Sequence, residues 1–128
     1  MVTYLADTNI FVRLYIQDNS EQFNLSLQIL NDCKRGKIKI IVLSEVVPEI
    51  EYVLRKVYKI DRKTIANHLL ELIKTTYINI EKRDIWKEAI KVYSKNNLDI
   101  IDAVLFVESQ NRKNEILSFD KDFRKIKN

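Results

Sequence analysis

Acidic residues recur at four places where an apolar stretch ends or a helix begins: Asp7 in "VTYLADTN", Glu49 in "PEIEYVL", Asp102 in "LDIIDAVLF" and Asp120 in "LSFDKDF". Carboxylates that converge on one rim repel each other and acquire raised pKa values unless a compensating charge is present. A divalent cation is the ordinary remedy. Mg²⁺ and Mn²⁺ take oxygen ligands, often one or two carboxylates plus retained waters, and leave positions for substrate phosphates. Such an ion orients a water, lowers its pKa and neutralises charge on a phosphodiester in the transition state. Each acid also has a plainer use. Asp7 can cap a helix and Asp102 can complement a helix dipole. Glu45, Glu49 and Glu51 crowd one helix, so any of them could be surface charge, and Asp122 competes with Asp120 for the place after the last apolar run.

The elements that must position these acids follow from pattern. "VTYLA" is short, β-branched and apolar, which predicts a buried strand ending just before Asp7. "IFVRLYIQ" reads as helix, and Ser20 is placed to cap a second helix in which Phe23, Leu27, Leu30 and Cys33 recur at helical spacing before Gly36 stops it. "IKIIVL" predicts a second strand. Ser44 opens a third helix, "EVVPEIEYVLRKVYK", where Pro48 is tolerable because it lies near the first turn. Asp61 caps a fourth helix with Ile65, Leu69, Leu72 and Ile73 as its stripe, and "TYINI" predicts a third strand. A fifth helix carries Trp86, Ala89, Ile90 and Tyr93 as far as "KNNLD", and a sixth runs from near Ile101 to about Asn111. "EILSF" predicts a fourth strand, and "DKDFRKIKN" a last helical turn with a frayed end.

Strands separated by long helical stretches need crossover connections, so the expected class is α/β: a parallel sheet of about four strands with helices on both faces. Ligands in such sheets bind outside the carboxyl ends of the strands. Asp7 and Asp120 follow strands directly, Glu49 lies in the first turns of the helix after the second strand, and Asp102 opens the helix that leads into the fourth. All four therefore belong to one rim.

The totals limit the alternatives. At 128 residues and 46% apolar content the chain suits one compact domain, 1–128, with a real core. No apolar run approaches the roughly 20 residues that span a bilayer, and the first residues lack a basic region followed by an apolar stretch, so a cytoplasmic protein is expected. Cys33 is the lone cysteine, which excludes an internal disulfide and paired-cysteine zinc patterns; it reads as a small apolar side chain. His68, also alone, sits in "RKTIANHLLELIK", an ordinary amphipathic helix. The net charge of +4 and pI near 9.1 suit a polyanionic partner, with the basic residues spread along solvated faces. One glycine and one proline argue for high helix content and for turns built from Asn and Asp.

Taken in series, "LADTN", "PEIEYVL", "LDIIDAVLF" and "LSFDKDF" resemble the PIN-domain ribonucleases, especially the VapC-like toxins of toxin–antitoxin pairs. The likeness covers nearly the whole chain and implies a PIN-like sheet. It identifies Asp7, Glu49, Asp102 and Asp120 as the acids that hold Mg²⁺ or Mn²⁺, with Asp99 at a less essential position and Asn9 and Ser118 as supporting polar groups. It implies metal-dependent endoribonuclease activity by in-line attack of water, with Arg13, Arg55 and Lys121 as candidates for gripping RNA phosphates. A cognate antitoxin and a homodimer are the partners it implies. The chain departs from the pattern at Pro48, beside Glu49, and at "RKIKN", about where relatives continue into one more short strand; the sheet edge is accordingly expected to be bare, shortened or completed by a partner.

Two rival readings compete. A phosphoacceptor receiver domain wants an acidic pair after the first strand and an Asp after the third, where this chain offers one acid and Glu81. A catalytically silent PIN-like module that binds RNA or protein would keep the fold, although it has no need of all four acids.

Overall fold

The computed structural model describes residues 1–126 and is an α/β fold. Three parallel strands lie in the order β1 (Thr3–Leu5), β2 (Lys39–Val42), β3 (Asn79–Ile80), with Leu5 opposite Ile41 and Val42 opposite Ile80. The crossovers are helical: α1 (Thr8–Tyr15) and α2 (Ser20–Lys34) precede β2, and α3 (Val46–Lys56) and α4 (Arg62–Lys74) precede β3. Helices α5 (Arg83–Lys95) and α6 (Ile100–Arg112) follow, then a 3-10 turn over Lys121–Lys125.

The core is built by helical stripes meeting the middle strand. Ile40 and Val42 of β2 are buried with Val47, Ile50 and Leu54 of α3, while Ile65, Leu69 and Ile73 of α4 meet Ala89, Ile90 and Tyr93 of α5. Arg83 pins the end of α4 to the start of β3 by donating to the carbonyls of Ile73, Thr75 and Ile78. Cys33 is buried with its thiol towards the Tyr77 carbonyl, and His68 stacks on Tyr15 at 4.4 Å, so both serve packing.

Several expectations are corrected. The predicted fourth strand does not form: among the described residues 115–119 have no sheet partner, and Leu117 and Phe119 are wholly exposed. Helix α2 is capped by Asn19, whose side chain accepts from the Gln22 N–H, rather than by Ser20, and its buried positions are Ser26 and Cys33 while Leu27 is exposed. Turns are not left to Asn and Asp. Lys59, Lys82 and Lys113 take the left-handed conformation, with φ of 57°, 55° and 56°. That region costs a residue bearing a Cβ on the order of 1 kcal/mol, a consequence of having so little glycine. The expected C-terminal helical turn is the 3-10 turn, and the frayed end, residues 127–128, lies outside the described residues.

Candidate active site

Asp7 stands where the chain leaves β1, and its extended backbone lets the carboxylate accept from the Thr8 N–H at 2.8 Å, which caps α1. The side chain is exposed, as is that of Asn9. Beside it Thr8 is buried, and its hydroxyl has no partner among the described residues.

Helix α3 separates two glutamates by their place on its surface. Val47, Ile50 and Leu54 define the buried stripe, and Glu51 falls on it while Glu49 falls outside it. Glu49 is therefore exposed. Glu51 is 3% exposed and fully engaged: its carboxylate accepts from the Tyr93 hydroxyl at 2.8 Å and from the Arg55 Nε at 2.8 Å. Pro48 is the third residue of α3, where the missing N–H would have had no helical acceptor, so it leaves the turn intact.

The second half of the chain gathers its acids. Asp99 caps α6 by accepting from the Ile101 N–H, and Asp102 follows in the first turn. Burial raises the Asp102 pKa, and the charges of Asp99, Asp120 and Asp122 push it the same way. Asp120 caps the 3-10 turn through the Asp122 N–H at 2.8 Å, and the Ser118 hydroxyl accepts from the Asp120 N–H at 2.9 Å. Ser118 thus supports Asp120 through its backbone. The charge of Asp120 thus reaches Asp102, although the two belong to different elements.

Of the basic candidates, Arg55 is the one tied to this region: Glu51 and Tyr93 hold its guanidinium in the field of Asp99. Arg13 is committed elsewhere, pairing with Asp18 at 2.6 Å and donating to the Tyr58 hydroxyl at 3.0 Å. Lys121 is exposed beside Asp120. Arg62, which the sequence did not single out, locks the loop ahead of α6: its Nη1 donates to the carbonyls of Tyr93 and Leu98, and its guanidinium lies 4.2 Å over the Tyr93 ring. Glu51, which the sequence leaves open as surface charge, is instead buried. The spacing of Val47, Ile50 and Leu54 was the signal that could have found it.

A hard-oxygen donor set of aspartates suits Mg²⁺ or Mn²⁺, and the unrelieved repulsion at Asp102 is what such a cation would remove. Yet among the described residues no three acidic, His or Cys side chains lie close enough together to hold a metal ion.

The sequence pattern of the PIN domain family matches residues 4–128, a span that includes every acid discussed. The chain is 26% identical over 123 residues to the VapC ribonuclease of Aquifex aeolicus (strain VF5), an alignment covering 95% of this chain and 90% of that protein.

Proposed function

This chain belongs to the PIN-domain family, and on that premise we propose that it is an Mg²⁺- or Mn²⁺-dependent endoribonuclease, the toxin of a toxin–antitoxin pair. In this reading residues 1–128 act as one domain, in the cytoplasm, as a homodimer held silent by a cognate antitoxin. No helix among the described residues is long and apolar enough to cross a membrane. The curated relative is named as a ribonuclease, and that name supports the reaction class.

Asp7, Glu49, Asp102 and Asp120 would hold the ion, which supplies charge neutralisation and an activated water when bound. The rest is the work of the chain. Asn9 and Ser118 orient the neighbouring acids. Arg55, buttressed by Glu51 and Tyr93, and Lys121 offer charge to the RNA phosphates, while Arg13 would have to leave Asp18 to do so. Glu51, Arg62 and Tyr93 fix the loop and first turn that present Asp99 and Asp102.

What supports the reading is the series of acids at a strand end and helix starts, with the charge of Asp120 reaching Asp102. Cleavage of a mixed single-stranded RNA with Mn²⁺ tests it: wild type cleaves, chelator stops it, and Asp7→Asn and Asp102→Asn fall by a hundredfold or more. Equal cleavage by wild type and both variants refutes the assignment. One observation favours a silent binding module instead, namely the absence of a ready-made group of three ligands among the described residues. That module would bind RNA with a Kd indifferent to Mn²⁺ and cleave nothing.

A further inference from the structure

Helix α3 carries Glu49, and it begins differently from most of its neighbours. Helices α1, α2, α4 and α6 are each closed at the start by the side chain of their own N-cap, Asp7, Asn19, Asp61 or Asp99, which accepts from a backbone N–H. The N-cap of α3 is Glu45, whose backbone is already helical and whose side chain makes no capping bond among the described residues. Such an end leaves N–H groups to be satisfied from elsewhere. The chain enters α3 through a turn, with the Val46 N–H on the Leu43 carbonyl at 3.0 Å and the Val47 N–H on the Ser44 carbonyl at 3.3 Å. The position of Ser44 therefore sets where the first turn lies.

Ser44 is held from outside the helix at two atoms. Its N–H donates to Glu81 Oε1 at 3.0 Å, and its hydroxyl accepts from Trp86 Nε1 at 3.0 Å. These partners lie 37 and 42 residues further along the chain, Glu81 directly after β3 and Trp86 in the first turn of α5. They bear differently on stability. Trp86 is 3% exposed and anchored in the core, whereas Glu81 is exposed, so removing its carboxylate opens no cavity. The ladder between β2 and β3 runs up to this point, with Val42 opposite Ile80 and the Glu81 N–H donating to the Val42 carbonyl at 3.0 Å. Because the strands are parallel, Glu81 leaves β3 on the rim where Asp7 leaves β1, and a negative charge at the entry to α3 complements that helix's dipole.

We propose that Glu81 is a positioning residue for the acidic site: together with Trp86 it clamps Ser44, fixes the first turn of α3 and so sets where Glu49 presents its carboxylate. The proposal rests on the metal-dependent reading above. Groups one step removed from a metal's ligands orient those ligands, and removing one costs about ten- to a hundredfold in metal affinity or activity.

Glu81→Ala and Glu81→Gln in the full chain test the clamp by Mn²⁺ calorimetry, thermal melts, cleavage kinetics on single-stranded RNA and the emission of Trp86, the chain's single tryptophan. Glu81→Ala should keep its metal-free Tm within about 2 °C of wild type, as an exposed substitution does. Its metal-free emission moves to longer wavelength as the freed Ser44 releases the indole N–H. Mn²⁺ affinity and kcat fall by about tenfold or more, while KM for RNA stays within about twofold because Glu81 does not bind the substrate. Glu81→Gln keeps a side-chain oxygen for the Ser44 N–H and restores wild-type values in every readout. A Glu81→Ala protein with wild-type Mn²⁺ affinity, or with unmoved emission, overturns the proposal. So does a Glu81→Gln protein as impaired as Glu81→Ala, because the charge would then act on the ion or the RNA directly. Wild type that binds no Mn²⁺ removes the metal reading and the positioning role with it, whereas wild type that binds Mn²⁺ no better than Glu81→Ala overturns the positioning role alone.

Discussion

Two glutamates, one turn of the chain apart in meaning though not in sequence, should give opposite phenotypes. Glu51 is buried against Tyr93 and Arg55, and Glu49 is exposed on the same helix. Glu51→Leu strands the Tyr93 hydroxyl in the core, a loss of a hydrogen bond to a charged acceptor valued at about 1.5–3 kcal/mol. The Arg55 contribution is smaller, because its side chain is 36% exposed and water takes over much of the lost pairing. A total near 2–3 kcal/mol, set against an unfolding entropy of about 0.27 kcal/mol/K for a chain of this size, lowers Tm by about 7–11 °C. Glu51→Gln keeps an acceptor for Tyr93 and should cost about 1 kcal/mol, or about 4 °C. Glu49→Gln disturbs no packed group and leaves Tm within about 2 °C of wild type, while removing Mn²⁺-dependent RNA cleavage. Thermal melts by circular dichroism, paired with the cleavage assay, decide the matter. A Glu51→Leu protein as stable as wild type, or a Glu49→Gln protein that melts early, refutes the assignment of the buried acid to structure and the exposed one to chemistry.

Arg62→Ala removes two donations to backbone carbonyls and the stacking on Tyr93, so it should cost about 2–3 kcal/mol and about 7–11 °C in Tm; calorimetry checks this, and Arg62→Lys should recover part of it. The Asp61 carboxylate is held below its ordinary pKa by the Thr64 hydroxyl and N–H that it accepts. Because the folded value is depressed, its stabilisation is present above the unfolded pKa near 4 and is lost as pH falls through the folded value. Asp61→Asn should therefore flatten the acid limb of a Tm-against-pH curve below about pH 4, leaving the neutral region much less affected.

The parts of the fold that were legible in the sequence are those set by local pattern with nothing to compete. Asp7 and Asp61 cap their helices as their neighbours dictate, and the stripes of α4 and α5 bury the residues their spacing selects. Illegibility began where two local signals compete or where a partner is needed. Asn19 and Ser20 are both good caps, and only the chain path decides between them. The composition of "EILSF" is that of a strand, but a strand exists only when another accepts its hydrogen bonds, and composition cannot report that. At the site, the sequence placed the acids on a common rim, and in the structure the charges of Asp99, Asp120 and Asp122 reach Asp102. It could not show that Asp7 and Asp120 are both turned to local N–H groups.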